Sequence, residues 1–205
     1  MRDYSFILKR LGIFLAAYIC LSLLFLVPSI NKAHISFFHT VGQPMLNMLY
    51  TGSYVDMKHY EGEPMNKWDT SFAIYQQAKY PKSVYNKGYR KTVPAGLTMH
   101  KGLRETIVLP GIFLLSLFIA TPLPWKRKII VSILGMLLLY LITCFHINYN
   151  IRLTELAGKF QAKSLADYIS IPFGGNFIDE HFFFVGLLIW ALFSFSSGLH
   201  KQLLK

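Results

Sequence analysis

Apolar and polar positions along the chain segregate into long blocks. Four apolar runs stand out: Leu11–Ile30, Thr106–Leu123, Ile129–Ile147 and Phe182–Ser197. Each is close to the ~20 residues that cross ~30 Å of hydrocarbon at ~1.5 Å of rise per residue. The pattern predicts an all-α polytopic membrane protein with about four transmembrane helices. Lys9 and Arg10 precede the first run, as in a signal peptide. No small-residue cleavage site follows it, so the run reads as a retained helix. Pro124–Lys128 is all that separates the second and third runs, which makes those two helices an antiparallel hairpin.

The polar blocks have less order. Residues 31–105 hold ten Lys/Arg and five Asp/Glu. Within them, Ile35–Tyr50 is amphipathic and suits a helix on the membrane surface. Thr70–Lys79 reads as a short helix. Ile151, Leu153, Leu156, Ala157 and Phe160 suggest a second interfacial helix, broken by Pro172–Asn176. The expected organisation is a tail and first span over 1–30, a large loop over 31–105, and a three-helix membrane core over 106–199. An outer segment interrupts that core at 148–181, and a short tail closes the chain at 200–205.

Charge sets the orientation. The chain carries 21 Lys+Arg against 10 Asp+Glu, a net charge of +11. In a soluble protein this would suggest nucleic acid. Here the short flanks hold the clusters: Arg2, Lys9 and Arg10, then Lys126, Arg127 and Lys128, then Lys201 and Lys205. An even number of spans puts all three on one side, and the positive-inside rule makes that side the cytoplasm. Both termini are then cytoplasmic, and residues 31–105 and 148–181 face outward from a bacterial inner membrane. The expected partners are the lipid bilayer and other membrane or envelope proteins, not nucleic acid. Cys20 and Cys144 both sit in apolar runs, so no disulfide framework holds the large loop and dithiol redox chemistry is disfavoured.

Ionisable residues gather near the outer ends of the second, third and fourth spans: His100, Lys101 and Arg104; His146, Asn148, Asn150 and Arg152; Asp179, Glu180 and His181. Such residues at a membrane boundary cost free energy and often mark a site. His100-Lys-Gly102-Leu103-Arg104, Asn148-Tyr-Asn150-Ile-Arg152 and Phe177–His181 resemble, in order and placement, the motifs of the exosortase and archaeosortase family. The resemblance covers about residues 95–197. Those proteins are polytopic transpeptidases that cut C-terminal sorting signals of exported proteins. The resemblance implies a site of His100, Arg104, Arg152 and His181, with Arg104 and Arg152 holding a carboxylate or phosphate. The family's nucleophilic Cys falls at His100, so the acyl-enzyme step lacks its thiol. The Asn-to-Arg spacing also differs by one residue. Both departures imply a diverged, non-peptidase member.

Other chemistry finds less footing. His100, His146 and His181 lack the close helical spacing of a metal motif, and no metal or other cofactor is expected. No Gly-x-Ser-x-Gly or phosphate-binding glycine loop is present. Tyr85, Tyr89 and Trp68 in the large loop, with Asn148 and Asn150, are residues suited to gripping a partner or substrate. The expectation is therefore a non-catalytic, partner-binding subunit of a cell-envelope or secretion-type assembly. The alternative is an exosortase-like protein handling an exported polypeptide. Gly111, Gly135 and Gly186 would permit close helix contacts.

Overall fold

A computed structural model describes residues 2–49, 53–60, 70–76, 97–155, 164–173 and 176–195. They are mostly helical. The helices are α1 (Arg2–Leu26), α2 (Pro28–Leu49), α3 (Leu109–Ala120), α4 (Trp125–Glu155), α5 (Leu165–Ser170) and α6 (Asn176–Phe195). A π-helical turn, Arg104–Val108, leads into α3. Pro110 lies at the start of α3 and has no N–H to give the preceding turn. Two helices are long and apolar enough to cross a membrane, over Tyr4–Leu26 and Trp125–Thr154. The apolar part of α6, His181–Ser194, is shorter.

The departure from an all-α reading is an antiparallel sheet of three strands in the order β1 (Ser53–His59), β2 (Thr70–Gln76), β3 (Leu97–Lys101). Residues expected to form a short helix over Thr70–Lys79 instead form β2. The reason is period: Phe72 and Ile74 are buried while Ser71 and Ala73 are partly open, the two-residue alternation of a strand. Val55 pairs with Ile74, and Met57 with Phe72, so one face of the sheet is apolar and buried.

The chain divides into two compact units. The first comprises Met1–His34, Arg104–Tyr140 and Ile178–Lys205. Its centre is α3, where Ile112, Leu114 and Phe118 are buried. The Phe113 ring meets Phe14 and Tyr18 of α1 and Phe183 of α6 edge to face, at 5.5–6.5 Å. The anticipated glycine contacts are present. A Cβ at Gly135 would stand 2.8 Å from the Phe118 ring, and one at Gly186 would stand 3.5 Å from the Pro110 carbonyl. At the far end of α3, Arg10 Nη1 donates to the Ala120 carbonyl at 3.2 Å and Lys128 Nζ donates to the Ile119 carbonyl. Trp190 Nε1 donates to Thr121 Oγ1 at 2.8 Å. The N-terminal part of α1, the 121–128 connection and the later part of α6 therefore meet at one end of this unit. Outward, α1 exposes Leu11, Leu15, Ile19 and Leu23, α4 exposes Ile129, Ile133 and Leu137, and α6 exposes Phe184, Leu188 and Leu192. Each set is spaced by four and forms one stripe.

The second unit comprises Ile35–Leu103 and Leu141–Phe177. Here α2 turns polar side chains toward β1. Asn47 Oδ1 accepts from the Val55 N–H at 2.7 Å and Asn47 Nδ2 donates to the Val55 carbonyl at 3.1 Å. Gln43 Oε1 accepts from the Met57 N–H at 3.1 Å. Two side-chain amides thus do for the edge of β1 what a neighbouring strand would do.

Candidate functional site

Several buried polar residues of the second unit lie on α4. At 100° per residue, His146 and Asn150 share one side of the helix, and Asn148 and Arg152 share nearly the opposite side. The two pairs accordingly build two separate nodes.

On one side, Arg152 and Asp167 form a buried ion pair. Arg152 Nε lies 3.1 Å from Asp167 Oδ1, and the side chains are 4% and 0% exposed. The same oxygen accepts from Asn148 Nδ2 at 3.2 Å, and Asn148 also donates to Ser170 Oγ at 3.0 Å. Asp167 is held from its own side as well. Ser164 caps α5, its Oγ accepting from the Asp167 N–H, while Asp167 Oδ2 accepts from the Ser164 N–H at 2.9 Å. A buried carboxylate is tolerable only when so surrounded. Asp167 therefore both completes the capping box that starts α5 and ties α5 to α4.

On the other side, Lys101 Nζ donates to His146 Nε2 at 2.6 Å and Asn150 Nδ2 approaches the same nitrogen at 3.0 Å. His146 is wholly buried. Its ring nitrogen facing an ammonium is a poor metal donor. Among the described residues, no three His, Cys, Asp or Glu side chains are grouped to hold a metal ion.

A third cluster joins α2 to the sheet. Ser36 Oγ and His59 Nε2 share a hydrogen bond of 2.9 Å, as do His39 Nε2 and Thr70 Oγ1. The two imidazoles lie 4.8 Å apart by centroid. Burial, and then the field of His59, push His39 down to about 4. Both rings hold hydroxyls and fasten the helix to the strands.

The residues expected at a site are distributed as follows. Arg152 and Asn148 come together, on Asp167. Asn150 bonds His146. His100 lies in β3 of the second unit, its backbone paired with Ser71. Arg104 opens the π-helical turn of the first unit and is exposed. His181, also in the first unit, is exposed and marks a kink in α6, with φ −119° and ψ 24°. Tyr85, Tyr89 and Trp68 lie outside the described residues. Both cysteines are free, Cys20 exposed and Cys144 buried with its thiol 3.9 Å from the Gly42 carbonyl. Sequence reasoning passed over Asp167 and Ser170. A signal was present: Ser164-Leu-Ala-Asp167 has capping-box spacing, which marks Ser164 and Asp167 as a helix start.

No family model matches the chain, and no curated protein and no solved structure matches it.

Proposed function

We propose that the chain is a four-span inner-membrane protein with both termini in the cytoplasm, acting as a non-catalytic, partner-binding component of a cell-envelope assembly. One observation carries the non-catalytic part: Arg152, the residue best placed to hold a substrate carboxylate, is occupied by Asp167 inside the fold. An arginine that closes a buried ion pair is a structural post. Its release would cost several kcal/mol, more than a substrate contact would return. Cys144 faces a backbone carbonyl in a buried place, so it offers no substitute for the thiol absent at His100.

The membrane assignment draws on the exposed stripes of α1, α4 and α6. Apolar surface of that extent, on three helices of one unit, suits hydrocarbon and not water. Helix arithmetic supports the placement of the polar nodes. α4 has 31 residues and is about 46 Å long, against ~30 Å of hydrocarbon. Counted from Lys128, about 20 residues reach Asn148, which supports putting that end of α4 near the outer boundary.

The test is purification of the tagged protein in mild detergent, alone and with Trp68, Tyr85 and Tyr89 replaced by Ala. The expected result is co-purification of a defined set of envelope proteins, lost in the triple variant while the elution volume of the protein itself is kept. A monodisperse monomer without companions would overturn the proposal. So would cleavage of an exported sorting-signal peptide that depends on His100.

A further inference from the structure

The basic end of the first unit is more than an orientation signal. Arg10 and Lys128, 118 positions apart in the chain, both reach the last carbonyls of α3. Cations suit a helix C-terminus, yet two there stand in each other's field. Lys9, Lys126 and Arg127 add three more charges, all exposed. Among the described residues none of these five cations pairs with a carboxylate; the ion pairs there are Lys58 with Asp56 and Arg152 with Asp167. Arg10 also keeps its Nε buried without a hydrogen-bond partner. The charges are followed directly by apolar surface. Leu11 comes after Arg10, Ile129 after Lys128, and all of Leu11, Ile129, Ile130 and Trp125 are exposed. Phosphate beside acyl chains is the chemistry that satisfies both halves. A soluble anion would answer the cations and leave the apolar flank uncovered.

We propose that Lys9, Arg10 and Lys126–Lys128 form a binding site for the phosphate of an anionic phospholipid, whose acyl chains lie along Leu11 and Ile129. This rests on the membrane-spanning reading. Basic pockets between membrane helices bind such head groups, at about fivefold in affinity per cation.

The full chain is purified in detergent, and its binding of phosphatidylglycerol is compared with that of phosphatidylcholine of the same acyl chains by native mass spectrometry. The wild type is expected to prefer phosphatidylglycerol. Arg10→Gln with Lys128→Gln should lower that preference about twentyfold, whereas Arg10→Lys with Lys128→Arg keeps it within about twofold. Lys32→Gln, an exposed charge on α2, should leave it unchanged. Should the double variant aggregate, Lys126→Gln and Arg127→Gln decide, each expected to lower the preference about fivefold. The proposal is overturned by equal binding of the two lipids, by an equal loss in Lys32→Gln, or by displacement of the lipid with inorganic phosphate at matched concentration. Alkaline carbonate extraction of cell membranes is read separately. Release of the protein overturns the membrane-spanning reading, while retention with a charge-insensitive lipid preference overturns this inference alone.

Discussion

At the scale of single residues, Asp167 has the most to lose. It accepts from Arg152, Asn148 and Ser164 at once. Asp167→Ala leaves a buried guanidinium without its counter-charge, at about 3–5 kcal/mol, and removes the acceptor for the Ser164 N–H, at roughly 1 kcal/mol more. In a chain of this size that is about 10 °C or more in apparent melting temperature, measured by size exclusion after heating in detergent. Replacing both partners with apolar residues, Arg152→Met with Asp167→Leu, should recover most of the loss, because no lone charge remains. A single variant that melts within about 1 °C of wild type contradicts the role given to the pair. His39 makes a separate prediction, in pH. Its pKa falls from 6.5 to about 4 in the fold. Between those values the unfolded chain takes up a proton that the folded chain refuses. Stability therefore falls as pH drops from about 6.5 toward 4 and is insensitive to this group above that window. Melting curves from pH 7.5 to 4.5 should show the decline, and His39→Gln should flatten it. An unchanged slope in the variant assigns the decline to other groups.

At the scale of elements, α2 shows how much of a helix is readable without knowing its neighbour. Ser36, His39, Gln43 and Asn47 recur at helical spacing, so a polar stripe was visible in the sequence. Its target was not. A polar stripe ordinarily faces water or lipid head groups, and the edge of β1 is made only when β1 pairs with residues 70–76. Asn47→Leu keeps the volume and leaves both polar groups of Val55 without their partner, at roughly 1–3 kcal/mol for each that stays buried. Asn47→Asp keeps the acceptor for the Val55 N–H and should cost less. Amide hydrogen exchange at Val55 is the direct measure, expected to quicken in the Leu variant and little in the Asp variant. Equal exchange in both would mean that the edge is protected by something else. The opposite case is β2. The two-residue alternation of Phe72 and Ile74 with Ser71 and Ala73 was there to be read, but it is only a few residues long, and the pairing with β1 and β3 that fixes it joins segments distant in the chain. The candidate site was partly legible for the same reason. Asn148 and Arg152 are one helical turn apart, a local relation that the sequence reveals. Asp167 lies 15 residues beyond Arg152, across a break in the helix, and no local period links them.

At the scale of the whole molecule, the four apolar runs were legible as uninterrupted blocks, and two of them lie in helices long and apolar enough to cross a membrane. Which side each end faces depends on charges scattered over 200 residues. The contacts inside the first unit bear on this directly. Arg10, Lys128 and Trp190 come from the start, middle and end of the chain, and all three bond backbone or side chain between Ile119 and Thr121. From that end α1 and α4 run away, while α3 and α6 run toward it. The consequence can be measured in intact cells with cysteine accessibility. Cys20→Ser and Cys144→Ala supply a cysteine-free background, and single cysteines are placed at Lys126, in the basic connection, and at Lys58, in β1. A membrane-impermeant maleimide should label the Lys58→Cys protein in whole cells. The Lys126→Cys protein should react only after permeabilisation. Labelling of both from outside would place the basic connection in the periplasm and remove the cytoplasmic orientation; labelling of both only after permeabilisation would put the sheet in the cytoplasm. Reversed labelling would put the basic connection, and with it the segments bonded at Ile119–Thr121, in the periplasm.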